Sequence, residues 1–124
     1  MLIFRGTDWY KGLSPEQMQH VFDQWMGWFN RLKEEGTALA GNPLEGEGKI
    51  VSGKGGTVSD GPFAEAKETI AGYFLLKVIS MDDAIAIAKQ CPGLPYGVRV
   101  EVRAVAAECP IAEKLRQETQ LTHA

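Results

Sequence analysis

The sequence predicts an α+β fold in which an antiparallel sheet carries its helices on one face. Three features predict it. The run Ile70–Ser80 is apolar on both sides of an extended chain, as an inner strand needs to be. Two amphipathic helical patterns begin at strong caps, one at Ser14 and one at Ser80. The elements alternate as strand, helix, strand, hairpin, strand, helix, strand, which suits layered packing rather than a bundle or a sandwich. At 124 residues the chain makes one domain, large enough for a core without metal or disulfide help.

Each element has a local reason. Leu2–Arg5 is a short β-prone run closed by Gly6. Residues 6–13 form a loop whose Trp9, Tyr10 and Leu13 suit a lid over a core edge or a ligand contact. Ser14-Pro15-Glu16-Gln17 starts a helix, with Ser14 as cap, Pro15 at the first position and Gln17 closing a capping box. Met18, Val21, Phe22, Trp25, Met26, Trp28, Phe29 and Leu32 then recur at helical spacing, and Gly36 ends the helix. That broad face is expected to pack on the sheet. Thr37–Asn42 reads as a strand stopped by Pro43, and Lys49–Ser52 with Thr57–Asp60 reads as a hairpin around Gly53-Lys54-Gly55-Gly56.

Ile70, Gly72, Phe74, Leu76 and Val78 line one face of the central run; Ala71, Tyr73, Leu75 and Ile79 line the other. Two helices can cover only one of these faces, so a second subunit is the natural cover for the other. Ser80 caps a second helix that buries Ala84, Ile85, Ile87 and Ala88 and ends at Pro92. In Val98–Arg103 the valines share one face while Arg99, Glu101 and Arg103 share the opposite one. Residues 108–124 form a polar tail with a short helix expected over 111–120. The whole order, over residues 1–107, fits a ferredoxin-like split βαβ fold with an inserted β-hairpin, its open sheet face paired in a homodimer.

Composition narrows the function. A net charge of −3 and a pI near 5.4 give no general basis for nucleic-acid binding. No apolar run is long enough to span a membrane, and no leader is expected because the N-terminus runs directly into Leu2-Ile3-Phe4-Arg5. Cys91 and Cys109 show neither metal-ligand spacing nor a disulfide framework, so free thiols in a reducing, cytoplasmic setting are expected, with no metal and no cofactor. The glycine-rich run 53–56 lacks the full phosphate-loop pattern. His20 falls on the polar face of its helix beside Asp23 and Gln24, and His123 falls in the tail. Neither is expected to do chemistry.

The most specific string is Asp60-Gly61-Pro62-Phe63-Ala64-Glu65-Ala66-Lys67-Glu68. Pro62 has no N–H, so Asp60 cannot close a turn onto residue 62; its carboxylate must find another N–H, a cation or a ligand. One reading is a connector with Asp60 as a cap and Phe63 as a plug. The other is a pocket rim carrying carboxylates and an ammonium. With Gly72-Tyr73-Phe74 after it, the string resembles the signature of the DGPF branch of the YCII-related proteins. The resemblance extends to Leu13-Ser14-Pro15-Glu16-Gln17-Met18, Cys91-Pro92 and Val100-Glu101-Val102-Arg103, covering residues 1–107. It implies a small dimeric α/β barrel with ferredoxin-like subunits and, for most members, no assigned activity. Some relatives accompany extracytoplasmic-function sigma factors. Other YCII-related proteins carry a helix histidine and a later aspartate, suspected as an acid–base pair. Those positions fall near Trp25 and near Gln90 or Cys91 here, so this sequence departs from that dyad.

Two function classes follow. One is a small-molecule enzyme of proton-transfer type, with Asp60 and Glu65 as proton carriers and Arg99, Arg103, Lys67 and Glu68 binding a small anionic or polar ligand near the dimer interface. The other is a non-catalytic ligand-binding or regulatory module, by resemblance a sigma-factor accessory. A carboxylate closed inside a pocket favours the first; carboxylates in open solvent favour the second.

Overall fold

A computed structural model describes residues 1–6, 8–61 and 69–122. In chain order the elements are β1 (Leu2–Arg5), α1 (Pro15–Glu34), β2 (Ala38–Pro43), β3 (Gly48–Ser52), β4 (Thr57–Gly61), β5 (Ile70–Leu76), α2 (Met81–Ala88), a single 3-10 turn (Leu94–Tyr96), β6 (Arg99–Val102) and α3 (Pro110–Thr122). The class is mixed α+β, as the alternating patterns indicate.

The expected caps form. Ser14 Oγ accepts the Gln17 N–H at 3.2 Å while Gln17 Oε1 accepts the Ser14 N–H at 2.8 Å, a closed capping box. At the other end Gly36 takes φ +77°, and the N–H groups of Gly36 and Thr37 donate to the carbonyls of Lys33 and Leu32. That double bond pattern ends a helix and needs a left-handed residue at Gly36. Ser80 caps α2 by accepting the Asp83 N–H at 3.1 Å.

Four strands form one antiparallel sheet in the order β2-β5-β1-β6, and β3 with β4 forms a separate two-stranded sheet. β1 and β2 lie on either side of β5, and β5 and β6 lie on either side of β1, which is consistent with a ferredoxin-like arrangement. Register places Leu2 opposite both Phe74 and Val102, and Phe4 opposite both Gly72 and Val100. These residues share the face toward the helices, where Leu2, Phe4 and Phe74 join Trp28 and Leu32 of α1, Ala88 of α2, Cys91 and Val98 in one buried cluster. Trp28, Leu2 and Val21 are the largest fully buried side chains, each gaining about 1.5–3 kcal/mol or more from burial. The Trp28 indole N–H reaches Gln90 Oε1 at 3.1 Å, so its polar edge is satisfied inside the core.

Two expectations need correction. The central strand ends at Leu76, not Ser80. Its partner β2 begins at Ala38, and beyond Leu76 the Lys77 N–H donates to the Thr37 carbonyl at 2.7 Å; Ile79 is then fully exposed as the chain turns toward its Ser80 cap. The broad apolar face of α1 also does not pack as one surface. Trp28 and Leu32 join the cluster on the sheet and Val21 is also buried, while Met18, Phe22 and Met26 are left exposed.

Candidate functional site

The uncovered stripe of α1 forms one wall of a cavity. Met18, Phe22 and Met26 follow one another at i, i+4 spacing, and Trp25 and Phe29 complete the wall from the adjoining stripe. The floor comes from the sheet, with Phe4 of β1, Phe74 of β5 and Val98 before β6. The rim comes from Gly6 and Trp9 after β1, Gly41 to Pro43 of β2, and Ala71 and Gly72 of β5. The space is about 450 Å³, inside the range of roughly 300–1,000 Å³ that small-molecule pockets occupy. No Asp, Glu, Lys, Arg or His is among the described residues that line it.

Backbone packing explains the rim. A Cβ at Gly72 would stand 2.9 Å from the Asn42 carbonyl oxygen and 3.1 Å from the Pro43 Cα. The close approach of β2 to β5 beside the cavity therefore requires glycine at 72. A Cβ at Gly41 would lie 2.7 Å from the Phe74 ring and 2.8 Å from the Phe29 ring. The Asn42 side chain belongs instead with Tyr73, whose hydroxyl its Nδ2 approaches at 3.4 Å.

The wall is continuous in aromatic rings. Phe29 contacts Phe74 at 4.8 Å between centroids, Phe74 contacts Phe4 at 4.8 Å, and Phe4 meets Trp25 edge-on at 5.0 Å. Trp25 stacks on Trp9 at 5.9 Å with 25° between planes, and Trp9 tilts against Tyr96 at 6.3 Å. Trp9 covers the core edge at Trp25, as one reading of its loop position expects, and it also lines the cavity.

Of the polar residues expected from sequence, Asp60, Arg99 and Arg103 do not line this cavity. Asp60 sits on β4, and its partner among the described residues is Lys49, directly opposite on β3. Its side chain is 91% exposed. The cation that Asp60 needed is thus a neighbour across the hairpin. Arg99 and Arg103 lie at and just beyond β6, both exposed. The N–H and carbonyl of Arg103 pair with Met1, extending the β1–β6 ladder. Arg5, opposite Arg99 in register, bonds Glu101 at 3.3 Å, and Arg5, Arg99, Val100 and Glu101 line a shallow depression of about 320 Å³. Glu65, Lys67 and Glu68 lie outside the described residues, as does His123.

The remaining chemistry-bearing groups are isolated. His20 is exposed on α1, as its helical position implies. Cys91 and Cys109 are free thiols, the first buried and the second exposed. Burial pushes the Cys91 thiol up to about 11, while the N–H groups of Ala112 and Ile111 at the start of α3 hold the Cys109 thiol below its ordinary value. Among the described residues, no group of three His, Cys, Asp or Glu side chains is placed to hold a metal ion, and no helix is long and apolar enough to cross a membrane.

Sequence reasoning did not single out Met18, Phe22 and Met26 as site residues. The available signal was width: eight apolar positions between Met18 and Leu32 exceed the single stripe a helix needs to pack on a sheet. A comparison with curated proteins returns no match. The family model of the YCII-related domain matches residues 7–108, which include every element from α1 to β6. The chain belongs to the YCII-related family.

Proposed function

We propose that this chain is a small-molecule-binding module of the DGPF branch, acting as a cytoplasmic homodimer, and that its ligand occupies the cavity between α1 and the sheet. One observation carries the reading: a cavity of about 450 Å³ is walled by aromatic and thioether side chains beside a well-packed core. Binding there needs no catalytic group, and none of the described lining residues offers an acid, base or nucleophile.

The homodimer reading rests on the opposite sheet face. Ile3, Tyr73 and Leu75 lie there in adjacent strands, while α1 and α2 supply Trp28, Leu32 and Ala88 to the cluster on the other face. Pairing two such faces gives a dimeric α/β barrel and covers apolar surface that one chain leaves open. A domain spanning residues 1–107, with 108–124 as an appendage, fits this assembly.

The proton-transfer reading requires a carboxylate shielded from water. The 91% exposure of the Asp60 side chain favours the binding module over it. One observation favours a second ligand location, the depression lined by Arg5, Arg99 and Glu101 on the open face. A small anion bound there would use the polar set of Arg5 and Arg99 that lines it.

A thermal-shift screen of small molecules separates these locations. Phe22→Glu, at a side chain 57% exposed on the cavity wall, should abolish the shift given by a hit, while Asp60→Asn and Arg99→Ala should preserve it. Hits lost in Asp60→Asn and Arg99→Ala but kept in Phe22→Glu would move the ligand to the polar set and refute the cavity reading.

A further inference from the structure

Resting on the cavity reading, we infer that the site selects uncharged, flat aromatic molecules, held by ring contacts to Trp9 and Trp25 and by the thioethers of Met18 and Met26. The lining itself gives the charge preference. No ionisable side chain is among the described lining residues, so a charged ligand would lose its hydration with no opposite charge from them in return. The ring band from Phe29 to Tyr96 gives the shape preference. Its members already meet one another edge-on, stacked or tilted at 4.8–6.3 Å between centroids. An added ring can join such a band in the same geometries, which favours it over an alkyl chain of equal area. The methionines of the same wall strengthen the argument, because thioether sulfur makes favourable contacts with aromatic rings and its flexible stem adapts to their outline. Met26 is 41% exposed and Met18 is 36% exposed, so both line an accessible wall rather than a sealed core.

The probes are N-phenylnaphthylamine, which is uncharged, and its sulfonated analogue, anilinonaphthalene sulfonate. Titrated into the full chain and read by energy transfer from tryptophan, the uncharged probe should bind at least about tenfold more tightly than the sulfonate. Naphthol should displace it at least about tenfold more effectively than decanol. Met26→Glu, at an exposed position, should weaken the uncharged probe by at least about tenfold while the far-ultraviolet circular dichroism stays unchanged. Trp9→Leu should weaken it several-fold and should narrow the gap between naphthol and decanol.

A sulfonate that binds as tightly as the uncharged probe, or decanol that competes as well as naphthol, would overturn the inference while leaving the cavity as a binding site. Binding of either probe that is indifferent to Met26→Glu, or no binding at all, would overturn the inference and the cavity reading together.

Discussion

Replacing Gln90 by leucine should destabilise the fold although it adds apolar surface. Trp28 is 1% exposed, and its indole N–H donates to Gln90 Oε1 at 3.1 Å. Among the described residues no buried side-chain nitrogen or oxygen lacks a partner. Leucine at 90 would create the first such orphan, at a cost of about 1–3 kcal/mol. Against a total stability of about 5–15 kcal/mol that is a large fraction. For a chain of this size it lowers the melting temperature by roughly 3–15 °C. Trp28→Phe removes the donor together with part of the buried ring, and leaves the side chain of Gln90, an exposed residue, free to meet water. The double variant should cost less than the sum of the two single variants by about 0.5–1.5 kcal/mol, because both singles break the same bond. Urea unfolding at fixed protein concentration, followed by circular dichroism, reads all four proteins. A Gln90→Leu variant within about 0.5 kcal/mol of wild type, with additive costs in the double, would show that the bond holds nothing together.

Four further outcomes are expected. Gly72→Ala should destabilise by about 1–3 kcal/mol in the same assay, because its Cβ would press on the backbone of Asn42 and Pro43; a neutral effect would mean that β2 and β5 are free to separate there. Cys109 should react with a thiol reagent in the folded protein while Cys91 reacts only on unfolding. The Cys91 thiol keeps its proton in the folded state up to about 11, whereas the unfolded chain releases it near 9.0, so stability should fall as pH rises between those values. Cys91→Ala should remove that slope, and an unchanged slope would assign it to other groups. Sedimentation at micromolar concentration should show a homodimer; a monomer would leave Ile3, Tyr73 and Leu75 without the cover proposed for them.

Much of the fold was legible because its signals are local. Ser14 with Gln17, Gly36 and Ser80 each make a bond pattern within a few residues of themselves, so sequence spacing alone locates them. The alternation in Val98–Arg103 survives as Val98, Val100 and Val102 packing on the core cluster, because a strand beside β1 can present only one face to the helices. The end of β5 was not legible: Leu76 is the last residue only because β2 begins at Ala38, a fact about the partner strand.

The site was legible in pieces. Helical spacing collected Met18, Phe22, Trp25 and Met26 on one broad face but could not divide it, since the division depends on how far the sheet extends beneath α1. Asp60 shows the reverse limit. Its missing local donor was readable from Pro62, but its partner Lys49 lies across a hairpin whose register the turn residues fix. Trp28 and Gln90 meet over 62 residues of sequence, and no pattern in either segment announces the bond.

The placement of the ligand can be read directly from methionine methyl groups. The chain has four methionines, of which Met18 and Met26 line the cavity while Met1 and Met81 do not. With methyl-labelled methionine, NMR spectra recorded as N-phenylnaphthylamine is added should show the Met18 and Met26 resonances moving together, saturating at one probe per chain, with Met1 and Met81 unmoved. Shifts at Met1 or Met81 with Met18 and Met26 unchanged would contradict a binding site between α1 and the sheet.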